Sequence, residues 1–403
     1  MTAPPGPRDE RWTMKVDVVI VGARCAGAAT ALLLARAGAR VLVVDRGAYG
    51  TDTLSTHALM RGAVIQLHRW GVLPAVVATG TPPVTSTTFD YEHDRVTVPI
   101  EPKYGVEALY APRRLLLDGL LSAAAVESGA EVAYGVRVDG VVRDGHGRVC
   151  GIAATARSGG PLRIEADLVI GADGLYSTIA QSVGAERLVE GSHASGTLYS
   201  YWEGLPADGY EWVFRTFGSI GAIPTNNGAT CVFASLPADR FRGQIRGDAV
   251  AAYLRLLREV SPAFAARLTG AARVEAVRGF GGQRGFIKRA AGAGWALVGD
   301  AGYFKDPATA HGITDALRDA ELLARAAITG TAAAFDDYQA TQLHLSRRLF
   351  EVTDEVASFQ WTSAGVQALH REFSHEMSRE AKALAALSPQ PWLAPPAGVL
   401  AHV

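Results

Sequence analysis

Asp17-Val-Val-Ile-Val-Gly22-Ala-Arg-Cys-Ala-Gly27 decides how this chain folds. Val16 to Val21 is a run of β-branched residues interrupted only by Asp17, the composition of a strand buried on both faces. Gly22 allows a tight turn, and Gly27 lets the next helix, Ala28 to Ala37, pack close to that strand. The helix turns its free N–H groups and positive dipole end towards the turn, a cradle for a pyrophosphate. Arg40 to Val44 reads as the second strand, and Asp45 ends it where a carboxylate takes ribose hydroxyls. The pattern departs from Gly-x-Gly-x-x-Gly at its middle position, which is Arg24. Either the backbone stands off the phosphates there, or the guanidinium meets phosphate or solvent. Gly22, Ala23, Cys25, Ala26, Gly27, Asp45 and Arg46 are the expected dinucleotide contacts. Cys25 within that turn reads as a small packing residue, not a nucleophile.

A second stretch lies far downstream. Trp295-Ala-Leu-Val-Gly299-Asp300-Ala301 reads as a strand ending in an acid held against a cofactor, and Asp306-Pro307 and His311-Gly312 follow it. A nicotinamide Rossmann domain needs only the first stretch, so the two together point to a flavin enzyme. Between them, Asp167-Leu-Val-Ile-Gly171-Ala-Asp173-Gly174 places another acid at the C-terminal edge of a strand, where ligands of open α/β sheets lie. Arg114 opens a helix with an apolar face behind it.

The 403 residues carry 39 Lys+Arg against 40 Asp+Glu, a net charge of −1 that gives no reason to expect nucleic acid. The 3 cysteines, Cys25, Cys150 and Cys231, are widely spaced, form no disulfide framework or metal pattern, and suit a reducing cytoplasm. No window approaches the ~18 apolar residues of a membrane span. The expected fold class is α/β: a Rossmann-like layer with an inserted antiparallel sheet and C-terminal helices. The expected pieces are a disordered lead-in over 1–14; a cofactor domain from 15–80, 105–180 and 285–330; a sheet domain from 81–104 and 181–284; helices over 331–387; and an irregular tail over 388–403. Helices are expected over Thr56–Trp70, from Pro112 to Ser128, and over Thr309–Ile328.

These motifs, in this order and spacing, resemble the flavoprotein monooxygenases of the p-hydroxybenzoate hydroxylase fold, and especially the branch with geranylgeranyl-reductase-like enzymes and flavin halogenases. The resemblance spans roughly residues 16 to 330. It implies that Asp173 and Gly174 serve FAD and reduced nicotinamide, that Gly299 and Asp300 contact the ribityl and pyrophosphate region, and that Arg114 touches FAD. Ser55, Thr56, Val138, Pro307, Gly312 and Ile313 fall at further cofactor positions. Ala180 stands where the family has an arginine after its Asp-Gly, which weakens the transfer of nicotinamide handling. Pro307-Ala-Thr-Ala310-His311-Gly312 replaces a glycine-richer run. The halogenase signature, two tryptophans leading into Ile-Pro, is absent before Ala222-Ile223-Pro224.

The segment Thr53-Leu-Ser55-Thr56-His57 runs towards the flavin ring in this fold, so His57 is a candidate for substrate binding or proton transfer. His311, at a helix start, is the second catalytic candidate; the helix dipole there is expected to lower its pKa and keep it neutral. Lys305 and Asp306 read as a solvated loop pair. Tyr201, Trp212, Phe214 and Pro224 lie on the inserted sheet, which roofs the substrate pocket in the family and suits a planar or lipophilic substrate. No residues are assigned to a metal.

The resemblance implies an FAD-dependent monooxygenase. It would use NADH or NADPH as a transient reductant, and O2, to oxygenate an aromatic or polyketide-like small molecule of secondary metabolism through a flavin C4a-hydroperoxide. A reductase or dehydrogenase of a lipophilic substrate is the alternative, followed by a halogenase and by a non-catalytic FAD protein. The expected location is cytoplasmic, with no integral membrane segment; an oligomer is open.

Overall fold

The computed structural model describes residues 12–157, 159–245, 247–390 and 392–393. The expected lead-in up to Arg11 and the tail from 394 onward lie outside the described residues.

Five parallel strands form the spine of an eight-stranded sheet, in the spatial order Trp295–Leu297, Pro161–Gly171, Trp12–Val21, Val41–Asp45, Glu131–Tyr134. Val18 to Val21 pair with Val41 to Val44 on one side and with Leu168 to Gly171 on the other. A strand paired on both sides needs apolar side chains on both faces, and Val18 to Val21 are all buried. The strand begins at Trp12, opposite Leu162, so it takes in residues assigned above to the lead-in. The crossover between the first two strands is the helix Cys25–Arg36, buried from Cys25 through Ala35. A hairpin, Val136–Arg143 with Val149–Ala156, pairs along Pro161–Gly171 and completes that side.

The second large sheet is mostly antiparallel and draws on distant parts of the chain. The strands Ser195–Glu203, Ala229–Pro237, Gly218–Pro224 and Tyr210–Arg215 lie side by side, and Ser86–Asp90 joins the last of them in parallel. The period of two along each strand separates two environments. Tyr199, Tyr201, Tyr210, Trp212, Phe214 and Phe233 enter the core shared with the first sheet's helices. Leu198, Trp202, Val213, Ile220 and Val232 face a separate core closed by the helices Ala249–Val260 and Pro262–Arg267. A third, small sheet joins Arg187–Glu190, Phe286–Lys288 and Tyr303–Phe304.

Three long helices follow: Gly312–Thr329, Ala332–Ser358 and Ser363–Ala386. The first packs on the crossover helix Cys25–Arg36, and the other two pack on one another. The described helices include none long and apolar enough to cross a membrane.

Two expected helix starts move inward for local reasons. Leu59 forms an antiparallel bridge with Tyr110, and His57 has φ 66, so the expected Thr56–Trp70 helix runs only over Arg61–Arg69. Ala310, at φ 49, separates the short turn Pro307–Thr309 from the helix that opens at Gly312. The helix expected from Pro112 runs from Arg114 to Glu127.

Candidate functional site

The phosphate turn is shaped by backbone crowding. Gly22 has φ +108, and a Cβ there would stand 2.4 Å from the Ala172 carbonyl oxygen. A Cβ on Gly27 would stand 1.8 Å from the Gly22 carbonyl oxygen, so only glycine permits the helix this close to the turn. Asp45 braces the loop from the neighbouring strand: its carboxylate accepts from Ala23 N–H at 2.8 Å and from Gly47 N–H at 2.6 Å. A carboxylate has lone pairs beyond these two bonds for a ribose hydroxyl. Arg24 is the helix N-cap residue in extended conformation, and its Nη1 is buried without a partner. An unpartnered buried guanidinium nitrogen beside free helix N–H groups fits a pyrophosphate. Cys25 is buried, and burial pushes its thiol up to about 11, which makes it a packing residue.

Gly299 ties this turn to the late segment. With φ +60, its hypothetical Cβ would lie 2.9 Å from the Ala26 Cβ and 3.5 Å from the Ala316 Cβ. The phosphate turn, the Gly299–Asp300 corner and the first turn of the Gly312–Thr329 helix therefore meet at one point. Asp300 is exposed at this corner, with the Arg114 guanidinium near enough to favour its charged form. Arg114 is buried and paired with Asp118 through Nε and Nη2, both at 3.1 Å. Ile313 is buried, and Pro307 opens the short turn ahead of Gly312.

Other expected cofactor residues have their side chains engaged elsewhere. Asp173 accepts from Ser177 Oγ at 2.5 Å and from Thr178 N–H at 2.7 Å, capping the helix Thr178–Val183, while Gly174 turns at φ +79. Val138 is buried in the core beneath the hairpin and pairs with Ala154 across it. Arg46 is exposed and lines a groove of ≈ 480 Å³ with Arg137 and Arg157.

The Thr53–His57 loop is latched to the second sheet. Ser55 N–H donates to Tyr199 Oη at 3.2 Å, Ser55 Oγ accepts from His57 N–H at 3.1 Å, and His57 Nε2 is hydrogen-bonded to Tyr201 Oη. Thr56 is half-buried between them. His57 is 1% exposed and its Nδ1 has no partner. Burial, with the Arg113 and Arg114 charges as lesser causes, pushes His57 down to about 3, so the ring is neutral. The Arg113 guanidinium lies 3.8 Å from the Tyr201 ring centroid. It is held by Glu275 at 2.7 Å and Asp52 at 3.1 Å, and Arg278 also reaches Asp52 at 3.1 Å. Tyr201, Trp212 and Phe214 occupy the same face of the sheet, while Pro224 is half-buried at a strand end. Farther along this face, His370 accepts from or donates to Tyr91 Oη at 2.8 Å and packs 4.3 Å from the Phe214 ring. Burial pushes His370 down to about 3.

His311 is in the opposite situation. It is buried, with Nδ1 3.1 Å from Asp315 and Nε2 3.1 Å from Glu380. Burial and the Lys305 ammonium favour the neutral ring, but Asp315 and Glu380 outweigh them and hold its pKa above the usual imidazole value. The expected lowering by the helix dipole is thus reversed: two carboxylates at contact outweigh half a charge spread over a helix end. Lys305 and Asp306, expected as a solvated pair, are both buried. Lys305 pairs with Asp315, and Asp306 accepts from Ser195 N–H and Ser195 Oγ, both at 2.6 Å. His311, Asp315 and Glu380 are the one group among the described residues close enough together to hold a metal. Lys305 and Arg318 already neutralise those carboxylates.

Arg113, Asp52, Asp315, Arg318 and Glu380 escaped the sequence reading. Asp315 and Arg318 sit four and seven positions after His311 on one helix face, a spacing that carries the signal. Glu380 arrives from another helix and leaves none.

Residues 15–353 match a family described as an FAD binding domain. Protein FixC of Salmonella typhi is 33% identical over 235 residues, covering 56% of this chain and 50% of FixC, so the chain spans about half the length of that relative. Menaquinone reductase of Mycolicibacterium smegmatis is 28% identical over 338 residues, covering 78% of this chain and 77% of the relative. A flavoprotein/dehydrogenase structure from Cytophaga hutchinsonii superposes with a TM-score of 0.78 at 20% identity, covering 93% of both chains, and shows the shared fold. With the glycine cradle, Asp45 and the Gly299–Asp300 corner all within the matched span, the chain belongs to the FAD-binding domain family and is an FAD-binding flavoprotein.

Proposed function

We propose that this flavoprotein is an oxidoreductase that reduces a lipophilic aromatic or quinonoid small molecule, with His57 and Tyr201 supplying the proton. The carrying observation is His57 itself: 1% exposed, at φ 66, bonded to Tyr201 through Nε2, with Nδ1 unpartnered. A strained, buried and half-satisfied side chain marks a functional position. FAD held at the Gly22–Gly27 turn would supply a hydride, with NADH or NADPH as its reductant. Nδ1–H gives a proton to the substrate oxygen while Nε2 takes one from Tyr201 Oη–H. The imidazole stays neutral throughout, as burial requires; burial also opposes the Tyr201 phenolate, the Arg113 guanidinium over its ring offsets part of that cost, and a proton from solvent returns Tyr201 to its phenol. Hydride plus proton converts a quinone to its quinol. Tyr201, Trp212 and Phe214 offer an apolar wall to such a substrate. The similarity to menaquinone reductase over most of both chains supports this class.

The monooxygenase reading ranks second. It is favoured by the closely packed aromatic face, with Trp212 5.8 Å from both Tyr210 and Phe233, which would keep water from a reactive oxygen species. Anaerobic reduction of the FAD-loaded protein with NADH or NADPH, followed by a naphthoquinone or by 18O2 with candidate phenols, separates the two. Quinol formed without oxygen supports the reductase; labelled oxygen in the product transfers the assignment to the monooxygenase. Protein that purifies colourless and takes up no FAD sinks both. His57→Gln is expected to slow the reductive step by roughly 10²-fold or more with FAD still bound.

A further inference from the structure

One row of side chains crosses the second sheet on the face that holds Tyr201. Strand pairing sets Tyr199 opposite Phe233, Phe233 opposite Gly221, Gly221 opposite Trp212, Trp212 opposite Phe89, and Phe89 opposite Val96. Residues directly opposite one another share a face. Val96 belongs to Arg95–Pro99, the outermost strand on that side of the sheet. At a strand spacing of about 4.8 Å the row spans about 24 Å. A Cβ on Gly221 would stand 2.0 Å from the Phe233 ring, so glycine lets that ring lean across towards Trp212 and keeps the aromatic run unbroken.

Exposure rises along this row. Tyr199, Phe233 and Trp212 are 3%, 4% and 6% exposed, Phe89 is half-buried, and Val96 and nearby Val98 reach 40% and 45%. The buried end is the His57 latch, where Tyr199 Oη accepts from Ser55 N–H. The open end carries a second histidine bonded to a tyrosine. His370 is half-buried, with the Phe214, Phe89 and Tyr91 rings 4.3, 5.4 and 5.7 Å away, and the half-buried Trp361 lies 6.3 Å from Phe214. Tyr91 Oη has no acceptor other than His370 Nδ1 among the described residues, so its O–H donates there at 2.8 Å. The neutral imidazole then carries its proton on Nε2, which meets no partner among the described residues. One free N–H among aromatic rings suits a flat aromatic molecule that bears a carbonyl.

We propose that this open end is a docking site for a planar aromatic ketone or quinone, held by a hydrogen bond from His370 Nε2 to its carbonyl and by contact with Phe89, Phe214 and Trp361. The aromatic row then leads the ligand inward to His57. The inference rests on the reductase reading above, whose substrate this site would admit. Val96 and Val98 form an apolar lip over which a lipophilic molecule leaves water.

The test is a ligand-observed NMR titration of FAD-loaded protein with a redox-inert pair, 1-indanone and indane, which differ by one carbonyl. The wild type should bind the ketone up to about tenfold more tightly than the hydrocarbon, the range of one neutral hydrogen bond. His370→Phe keeps an aromatic ring and should bring the two affinities together without weakening indane. His57→Gln should leave most of the preference in place, and Val98→Asp should weaken both ligands alike. Equal affinities in the wild type, or an unchanged preference in His370→Phe, overturn the proposal. So does a preference lost in His57→Gln alone, which moves the carbonyl site to the buried end. If His370→Phe does not fold, Tyr91→Phe decides: it frees the imidazole proton to shift and should narrow the preference. A dimer that Val98→Asp splits, with ligand binding unmoved by either variant, would give the edge to a second copy and overturn the docking site. Quinone turnover is read separately: protein that keeps the His370-dependent preference but reduces no quinone sinks the reductase reading and leaves the docking site standing.

Discussion

Two histidines, His57 and His311, are each 1% exposed, and their surroundings push them in opposite directions. Around His57 burial is the leading influence and Arg113 and Arg114 reinforce it, so its pKa falls to about 3. Around His311 the same burial is outweighed by Asp315 and Glu380, and its pKa rises. Burial alone therefore accounts for His57 and fails for His311, where the charge at contact decides. One ring can pass a proton without becoming an ion, while the other is biased towards its charged form.

The comparison breaks most severely at Arg318. Arg318→Met leaves Asp315, Asp319 and Glu380 buried with too few cations. Removal of one partner from a buried ion network costs about 3–5 kcal/mol. A urea unfolding curve should show that loss as a lower midpoint with unchanged slope.

Acid and base should then separate the two kinds of histidine. His57 and His370, both pushed down to about 3, must gain protons on unfolding below the ordinary pKa of about 6.5. Their contribution is complete above that value and is lost as pH falls from 6.5 towards 3. His311, pushed up, contributes fully below about 6.5, and its share is lost as pH rises through its folded pKa. Stability against pH should be a dome. His370→Phe should flatten the acid limb by up to a few kcal/mol near pH 4 and leave the alkaline limb in place. Equal acid limbs in wild type and variant would show that His370 is not held neutral.

The smallest effect belongs to a pair in water. Arg187 and Glu190 lie 2.7 Å apart with side chains 48% and 55% exposed. Arg187→Ala should change stability by about 0.5 kcal/mol or less and lose even that in high salt.

The phosphate turn, the second strand with Asp45 and the Gly299–Asp300 corner were legible because each is a local pattern whose chemistry lies within a few residues. His57 and His311 were legible as positions for the same reason. Their charge states were not, because the burial of His57 under the second sheet and the arrival of Glu380 from another helix beside His311 are set by tertiary packing. The helix start at Thr56 was misjudged because the Leu59–Tyr110 bridge overrides local propensity. The buried Lys305 likewise depended on Asp315, ten residues on: the helix over Thr309–Ile328 was expected, but not the face it turns to Lys305.

The latest-made part of the chain also finishes the earliest. Arg36, at the end of the crossover helix, donates through Nη1 to the Leu393 carbonyl at 2.7 Å, across a separation of 357 residues, and Glu380 completes the cluster at the front of the Gly312–Thr329 helix. At ribosomal speeds of ~5–20 residues per second, the Leu393 carbonyl emerges roughly 20–70 s after Arg36. During that interval the nascent flavin domain carries an unfinished charge network and an uncovered helix end. Quality control in the cell therefore has a natural checkpoint: a chain that stops short of Glu380 leaves His311 and Arg318 one buried carboxylate short.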